Sequence, residues 1–256
     1  MNRYIKTILA ASLCAFTAQT MAATSNNMSA AQKAQIEEVV HDYLLAKPEV
    51  IMQAVQILQQ RQYEEAKKTV TQTQKTAINF ANALFHQSQD PTIGNPDGKI
   101  TVVEFFDYQC PHCVDMAPVI EGIVKANPNL RIIFKEFPIR GPISEFASRA
   151  ALAANKQGKY YPFSHAMLTV NKPLTQDLIF DLAKNNGVDV DQMKKDMNGP
   201  EVSDQLKKNM KLGQDLKLFG TPAIFAGVTT ATKSIDYAPG QLDPAQLQQL
   251  IDKQKK

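Results

Sequence analysis

A Cys-x-x-Cys pair placed directly after an apolar run is the feature that most constrains this chain. Residues 100–106, ITVVEFF, are rich in β-branched and aromatic side chains, which predicts a buried strand. The residues after Cys113 change to helical spacing. The sequence therefore predicts a strand that passes through a tight junction into a helix, with Cys110 and Cys113 on the first turn of that helix.

The start of this helix should make Cys110 reactive. Pro111 suits the first helical position, because its missing N–H needs no partner there. Cys110 is then the N-cap, where free backbone N–H groups and the positive end of the helix dipole favour a thiolate. Such positions lower a thiol pKa to about 3.5–7.5, and a protonated His112 would add a second positive charge. Cys113 is placed to resolve a mixed disulfide formed at Cys110, so we expect a redox-active pair.

Three other interpretations of these residues remain open. The pair could be half of a zinc site, although zinc usually takes four protein ligands and the sequence has no second pair. It could be a structural disulfide, although so short a loop removes little chain entropy. His112 could be a surface histidine without a role.

The first 22 residues have the pattern of an export signal. Arg3 and Lys6 precede an uncharged apolar stretch that ends in small residues, and the stretch is too short for a membrane span. The sequence predicts a cleaved signal peptide over residues 1–22, which would remove Cys14 and leave a mature chain with Cys110 and Cys113 alone.

Charge and export together narrow the functional class. Without Arg3 and Lys6, the 28 basic residues fall to 26, against 25 acidic ones, so the mature chain is nearly neutral. This balance does not favour nucleic acid or an anionic membrane as a partner. An exported protein meets an oxidising compartment, where disulfide bonds form and persist. A single reactive pair there suggests chemistry on the thiols of other proteins.

Residues 23–89 should form a helical arm. Between Ser29 and Gln87 there is no glycine and one proline, Pro48, which predicts a break and then a helix of about 55 Å that ends near Phe85. The later part of this helix has apolar residues at alternating three- and four-residue spacing, with Thr73 filling a gap. These residues, which we call the seam, are Tyr63, Ala66, Val70, Ala77, Phe80 and Leu84. We expect the seam to mediate self-association; the alternative is a helix that lies along its own domain.

Residues 90–256 should form the catalytic domain. A turn-rich junction over 90–98 leads into the strand and helix of the cysteine pair. A second buried strand is predicted over 130–137, a helical block over about 142–219, a strand over 221–225 and a final helix over 245–253. This order predicts an α/β fold.

Several stretches together resemble the DsbA-like periplasmic thiol-disulfide oxidoreductases. They are Glu104-Phe105-Phe106-Asp107-Tyr108, Cys110-Pro111-His112-Cys113, the helical block entered through Gly141-Pro142, Gln157-Gly158-Lys159-Tyr160 and Gly220-Thr221-Pro222. The resemblance implies a thioredoxin fold with a helical domain inserted at about 142–219. The arm is similar to the extensions of relatives that oligomerise, and by analogy with DsbC and DsbG it implies a homodimer.

The resemblance also implies roles for four residues outside the cysteine motif. Thr221 and Pro222 match the cis-proline loop, which presents the Thr221 backbone to an extended substrate segment. Glu104 matches a buried acid that accepts the proton of Cys113. Lys135, on the adjacent strand, is expected to be the partner of Glu104.

Two sequence features favour different activities, one oxidation and the other isomerisation. The Pro111-His112 dipeptide resembles the strongly oxidising DsbA type, whereas threonine before the cis-proline is more like the isomerases. We therefore expect an oxidoreductase that forms or rearranges disulfide bonds in unfolded or misoxidised secreted proteins, with a DsbB-like oxidant, a DsbD-like reductant or both as partners. Its only redox group would be the Cys110–Cys113 disulfide, with no other cofactor and no metal.

Three alternatives to this function stay open. The chain could be a dedicated oxidase recharged by a DsbB-like membrane protein. It could carry Cu(I) on the thiolates of Cys110 and Cys113, since soft ligands select this ion. It could also be a holdase whose arms bind unfolded proteins and whose cysteines are secondary.

Overall fold

The computed structural model describes residues 28–230 and 234–255. The chain divides into two compact units, one that ends at Gln59 and one that begins at Gln60. The predicted signal peptide, residues 1–22, lies outside the described residues. In the described ranges, no helix is both long enough and apolar enough to span a bilayer.

The first unit consists of helix α1, Ala30–Ala46, and the beginning of helix α2, Glu49–Thr76. Ser29 caps α1 through a capping box with Gln32, in which each side chain accepts a hydrogen bond from the other residue's backbone N–H. No residue of α1 is buried. Large apolar side chains of this unit are exposed, and we call them the apolar arm residues: Ile36, Val39, Val40, Tyr43, Leu45, Ile51, Met52, Val55, Ile57 and Leu58.

The second unit begins within α2 and continues through a 3-10 turn, Ala77–Phe80, into helix α3, Ala81–Phe85. This segment belongs to the core of the unit, because Ala77, Leu84 and Phe85 are buried against the sheet. Near the end of α2, the buried Thr73 hydroxyl donates a hydrogen bond to the carbonyl of Leu216 at 2.8 Å.

A five-stranded mixed sheet forms the centre of the second unit, in the order β1-β3-β2-β4-β5. The strands are β1 Thr92–Gly94, β2 Ile100–Phe106, β3 Leu130–Glu136, β4 Ala223–Val228 and β5 Asp236–Pro239. Central β2 runs parallel to β3 and antiparallel to β4. The predicted α/β class is confirmed. The sequence did not predict the two edge strands, β1 and β5, which have three and four residues.

Seven helices of the second unit follow β2 in the chain. Helix α4, Pro111–Ala126, connects β2 to β3, and helix α10, Pro244–Lys253, comes last. Between β3 and β4 lie the five helices of the inserted block: α5 Pro142–Asn155, α6 Tyr160–Thr169, α7 Gln176–Asn185, α8 Val190–Asp196 and α9 Pro200–Asp215. One face of the sheet packs with α4 and the inserted block; the other packs with α3 and the end of α9.

The structure corrects the predicted domain boundary at residues 89 and 90. Leu84 and Phe85 are 0% and 1% exposed inside the core of the second unit, so the catalytic domain cannot begin at Asp90. Val70 and Phe80 of the seam also pack against this core. This part of the seam is therefore covered by its own domain and is not available for self-association. From Val70 onward, the alternative interpretation is the right one: the helix packs on its own domain.

Candidate active site

The junction after β2 forms as the sequence predicts. Cys110 is the N-cap of α4 with φ −84° and ψ 116°, and Pro111 occupies the first turn. The Cys110 N–H donates to the carbonyl of Asp107 at 3.0 Å, which closes the tight turn. Cys110 and Cys113 are free thiols and both are buried, whereas Pro111 and His112 are exposed.

A buried carboxylate, Asp107, holds this junction in place. It accepts hydrogen bonds from the backbone N–H groups of Gln109 at 2.8 Å, Ile139 at 2.8 Å and Arg140 at 2.9 Å, and from the Ser144 hydroxyl at 2.7 Å. Asp107 is part of the motif, but the sequence indicated no role for it. The sequence feature that could have indicated a role for Asp107 is its position directly after a buried strand.

Cys110 contacts the proline loop. The peptide bond between Thr221 and Pro222 is cis, in agreement with the resemblance. The Cys110 thiol donates to the Thr221 carbonyl at 3.1 Å. The Thr221 hydroxyl is buried and has no hydrogen-bond partner in the described part of the chain. The loop therefore presents both a carbonyl and a hydroxyl near the sulfur.

The surroundings of Cys110 favour its thiolate. Burial works to raise the pKa of Cys110, but the lowering influences of Thr221, of Cys113 and of the charge of Arg140 together outweigh burial and bring the pKa below its ordinary value. Arg140 was not among the predicted site residues. His112, which was, lies at the surface with its Nδ1 atom 2.9 Å from Oε1 of Gln241.

Cys113 is in the opposite electrostatic situation. Burial, and after it the negative charge of Glu104, raise the pKa of the Cys113 thiol well above its ordinary value. Glu104 is itself 4% exposed, and burial, followed by the charges of Cys110 and Glu136, raises the pKa of Glu104 to about 8. A thiol and a carboxyl that both resist ionisation therefore share one low-dielectric region beneath the active site.

Lys135 is not the partner of Glu104. In the register of β2 and β3, Glu104 lies opposite Phe134 and Lys135 lies opposite Phe105. Directly opposite residues share a face, and neighbouring residues alternate between faces, so the two charged side chains point to opposite sides of the sheet. Lys135 instead forms a buried ion pair with Asp90 and donates to the Ala83 carbonyl at 2.8 Å.

A second buried acid, Glu136, was missed by the sequence analysis. Its carboxylate accepts hydrogen bonds from the hydroxyls of Tyr108 at 2.9 Å, Ser148 at 2.7 Å and Tyr160 at 2.7 Å. Burial raises its pKa to about 8 in spite of these bonds. Tyr108 precedes the cysteine motif, whereas Ser148 and Tyr160 belong to the inserted block, so Glu136 joins the motif to that block.

Exposed apolar side chains lie on the segments that form the site. Val114 follows the cysteine pair, Ile139 lies in the loop bound by Asp107, and Phe219 precedes the proline loop. They are 37%, 44% and 58% exposed. Within residues 28–230 and 234–255, no cluster of three or more His, Cys, Asp or Glu residues could hold a metal ion.

Two protein families match the chain. The family described as "DSBA-like thioredoxin domain" matches residues 101–252. The family described as "Copper resistance protein ScsC N-terminal domain" matches residues 32–65. The first match and the neighbouring structures confirm the predicted thioredoxin fold with its helical N-terminal region.

Individual proteins are similar over most of the chain. A thioredoxin-like oxidoreductase from Silicibacter pomeroyi is 38% identical over 68% of this chain and 96% of its own, with a TM-score of 0.63. BcfH from Salmonella enterica Typhimurium is 32% identical over 88% of this chain and 97% of its own, with a TM-score of 0.64. A probable disulfide bond formation protein D from Bacillus cereus is 26% identical over 175 residues, 63% of this chain and 81% of that protein.

Replacing Glu104 should change how stability depends on pH. Because the pKa of Glu104 rises from its ordinary value of 4.5 to about 8, the folded protein keeps a proton that the unfolded chain loses between these pH values. The Glu104 carboxyl therefore lowers the free energy of unfolding as the pH rises from 4.5 to about 8. Glu104→Gln should raise the free energy of unfolding near pH 8 by on the order of 2–4 kcal/mol and change it little at pH 4.5. Urea unfolding of the reduced protein measures both values.

The exposed Glu65 provides the control for this experiment. Glu65→Gln should change the free energy of unfolding by less than about 0.5 kcal/mol at either pH. Glu136 is present in all three proteins, and its coupling to Glu104 is part of the difference that Glu104→Gln measures. An equal pH dependence in Glu104→Gln and the parent would show that Glu104 is not protonated in the folded state.

Replacing His112 tests whether this surface histidine favours the thiolate. In His112→Ser we expect a higher pKa for Cys110 and a reduction potential lower by tens of millivolts, since about 30 mV corresponds to 1.4 kcal/mol for a two-electron couple. Equilibration with glutathione buffers measures the potential, and thiolate absorbance at 240 nm measures the pKa. Arg140→Gln is the matched comparison, because Arg140 is the cation whose charge lowers the pKa of Cys110. An unchanged potential in His112→Ser would leave Arg140 as the relevant cation.

Proposed function

This chain belongs to the DsbA-like family of thiol-disulfide oxidoreductases, and from that premise we propose that it is an exported, self-associating enzyme that both forms and rearranges disulfide bonds in secreted proteins. The observation that carries the proposal is the contrast between Cys110, whose pKa is lowered, and Cys113, whose pKa is raised. We place the enzyme in the periplasm, because its sequence has the pattern of an export signal and its motifs resemble those of the periplasmic DsbA-like oxidoreductases.

The contrast assigns the two sulfurs to different steps. In oxidation, a client thiolate attacks the Cys110 sulfur of the enzyme disulfide, and Cys113 leaves as the thiolate. Glu104, with its raised pKa, is then positioned to supply a proton to Cys113. A second client thiolate attacks the client sulfur of the mixed disulfide and releases Cys110 as a thiolate. The client is oxidised by two electrons and the enzyme is reduced by two.

In rearrangement, the reduced enzyme starts the reaction. The Cys110 thiolate attacks a wrong client disulfide, which releases one client sulfur and leaves a mixed disulfide. A different client thiolate then attacks the client sulfur of this bond, so a new disulfide forms and the enzyme returns unchanged. If no client thiolate reacts, Cys113 attacks Cys110 and releases the client in reduced form; Glu104 would take the Cys113 proton.

The surface around the cysteines suits unfolded clients. Val114, Ile139 and Phe219 are exposed apolar residues on three separate segments of the site. Such residues bind extended apolar chain without demanding one sequence. The backbone of Thr221 would add main-chain hydrogen bonds to the bound segment.

We assign self-association to the apolar arm residues rather than to the seam. An isolated helix without a buried face is marginal in water, and within residues 28–230 and 234–255 nothing buries a residue of α1. A second copy would bury these side chains in a symmetric interface, which supports the expected homodimer. Two linked active sites raise the effective concentration of one thiol near a client held by the other.

Removing the arm tests this assignment. A chain that begins at Gln60 keeps Thr73, Leu84 and Phe85 and should fold as a monomer with thiol oxidation close to that of the parent. Its isomerase activity on a scrambled client should fall about tenfold or more, because the gain in effective concentration is lost. Its turnover with a DsbB-like oxidant should improve. Sedimentation, scrambled-client refolding and quinone-linked oxidation measure these three quantities.

A single substitution in the full chain tests the effect of self-association without shortening the chain. Val39→Glu in the full chain should also give monomers, because Val39 is 68% exposed and apolar, whereas Glu38→Gln beside it should not. A parent protein that sediments as a monomer, or a shortened chain that isomerises at the full rate, would remove the arm from the mechanism.

The N-terminal family match favours a second candidate. Its printed description refers to copper resistance, and a pair of thiolates suits Cu(I). A carrier should bind one Cu(I) per reduced Cys110–Cys113 pair against a competing chelator, and Cys113→Ser should lose this binding. Refolding of a client in the presence of the same chelator measures disulfide exchange, for comparison with the Cu(I) binding. Full disulfide exchange with no competitive Cu(I) binding would reject the carrier and leave the enzyme.

A further inference from the structure

Glu104 and Glu136 are two buried acids on one face of the sheet. In the register of β2 and β3, Glu104 lies opposite Phe134 and Glu136 lies opposite Phe106. Phe106 comes two residues after Glu104, so both carboxyls are on the face that packs with α4 and the inserted block. Glu104 is 4% exposed and Glu136 is 0% exposed. Only Glu104 takes part in the exchange chemistry described above.

The hydrogen bonds of Glu136 are those of an ionised carboxylate. The hydroxyls of Tyr108 and Tyr160 donate to its Oε1 atom at 2.9 and 2.7 Å. The Ser148 hydroxyl donates to its Oε2 atom at 2.7 Å. An ionised carboxylate only accepts hydrogen bonds, whereas a protonated carboxyl also carries a donor that needs an acceptor. Three hydroxyl donors therefore favour the charged form of Glu136.

Glu104 has the opposite surroundings. Burial and the charges of Cys110 and Glu136 raise the pKa of Glu104 to about 8, and no hydrogen-bond donor offsets them in the described part of the chain. Burial raises the pKa of Glu136 to about 8 as well, so burial does not decide which of the two acids ionises first. The three hydroxyl donors decide it in favour of Glu136. Ionisation of one buried acid then makes ionisation of its neighbour less favourable.

The other ionisable groups around the two acids leave this order unchanged. Burial, and after it the charge of Glu136, raise the pKa of Tyr108 and of Tyr160 well above the ordinary value, so both remain protonated donors. The charge of Asp107 works to raise the pKa of Glu136, but it has less influence than each of the three hydrogen bonds. The thiols on α4 act on Glu104 instead.

We propose that Glu136 and Glu104 form a coupled acid pair, in which Glu136 carries the negative charge and Glu104 keeps the proton. Glu136 is then a positioning residue that acts through Glu104. This role rests on the function proposed above, in which Glu104 exchanges a proton with Cys113. When Cys113 leaves as a thiolate, the proton on Glu104 moves to the Cys113 sulfur and Glu104 is left ionised. Through Tyr160 and Ser148, the inserted block takes part in holding that proton in place.

The acidity of Glu104 is measured by NMR titration of the full-length protein, isotope-labelled at the glutamate side-chain carboxyls. The oxidised protein is used because its disulfide has no thiol to titrate, and Glu104→Gln assigns the signal. Glu136→Gln removes the charge and should make Glu104 about tenfold more acidic. Tyr160→Phe keeps the ring but removes one donor to Glu136, and should make Glu104 about threefold more acidic. Tyr161→Phe is the matched control and should leave Glu104 unchanged, because the Tyr161 hydroxyl has no hydrogen-bond partner within residues 28–230 and 234–255.

Oxidation of the reduced protein by glutathione disulfide shows the effect on the reaction. In its last step, Cys113 attacks the mixed disulfide between Cys110 and glutathione, and an ionised Glu104 takes the Cys113 proton. More of Glu104 is ionised at pH 7 when it is more acidic. This step should therefore be about twofold or more faster at pH 7 in Tyr160→Phe than in the parent, with the midpoint of its pH profile moved down. Tyr161→Phe should follow the parent profile.

The two measurements separate this proposal from the proposed function. An unchanged Glu104 titration in Tyr160→Phe, or equal shifts in Tyr160→Phe and Tyr161→Phe, would overturn the acid pair. Tyr160→Phe decides the question alone if Glu136→Gln fails to fold. A shifted titration with an unchanged rate profile would support the acid pair and show instead that Glu104 does not exchange a proton with Cys113.

Discussion

The buried carboxylate of Asp107 is the contact on which the active-site geometry depends. Its four hydrogen bonds join the end of β2, the loop after β3 and the first turn of α5. A carboxylate can remain buried when several N–H and O–H groups satisfy it, and each bond fixes the position of its donor. One donor is the backbone of Arg140, whose charge lowers the pKa of Cys110. The reactivity of the Cys110 sulfur therefore depends on the Asp107 carboxylate, although Asp107 need not contact a substrate protein.

Local patterns in the sequence predicted much of the fold and part of the site. The apolar run of β2, the N-cap position of Cys110 and the place of Pro111 depend on residues close in the chain, and the structure has all three. The pairing of Glu104 with Lys135 depends on strand register, which those patterns did not specify. A shift of one residue moves a side chain to the other face of a sheet. The hydroxyls of Ser148 and Tyr160 reach Glu136 from a separate part of the chain, so no local signal pointed to them.

The partner of the apolar stripe on the arm could not be predicted from the sequence. Apolar residues at alternating three- and four-residue spacing form one stripe on a helix, and the stripe is the same whether it packs on another chain or on its own domain. In the structure, the seam from Val70 onward packs on its own domain, and Thr73 fits because its hydroxyl reaches the Leu216 carbonyl. Of the arm, the apolar residues that stay exposed in the described part of the chain lie mostly upstream, on α1 and the beginning of α2. Spacing located the stripe, but only the tertiary structure showed what covers it.

Opposite environments for two cysteines three residues apart follow from the geometry of one helix turn. Cys110, at the N-cap, lies beside Thr221 of the proline loop. The charge of Arg140 is one of the influences that lower its pKa. Cys113 is buried within the electrostatic reach of Glu104, and both its burial and this like charge disfavour ionisation. A low-pKa sulfur is the better leaving group, so a mixed disulfide at Cys110 breaks readily on the enzyme side once a nucleophile arrives. In the proposed mechanism, Cys113 resists ionisation and resolves that bond only when Glu104 takes its proton, and this delay would give a client thiol time to attack first. On this proposal, the buried carboxyl of Glu104 would set both the rate at which the client is released and the opportunity for rearrangement.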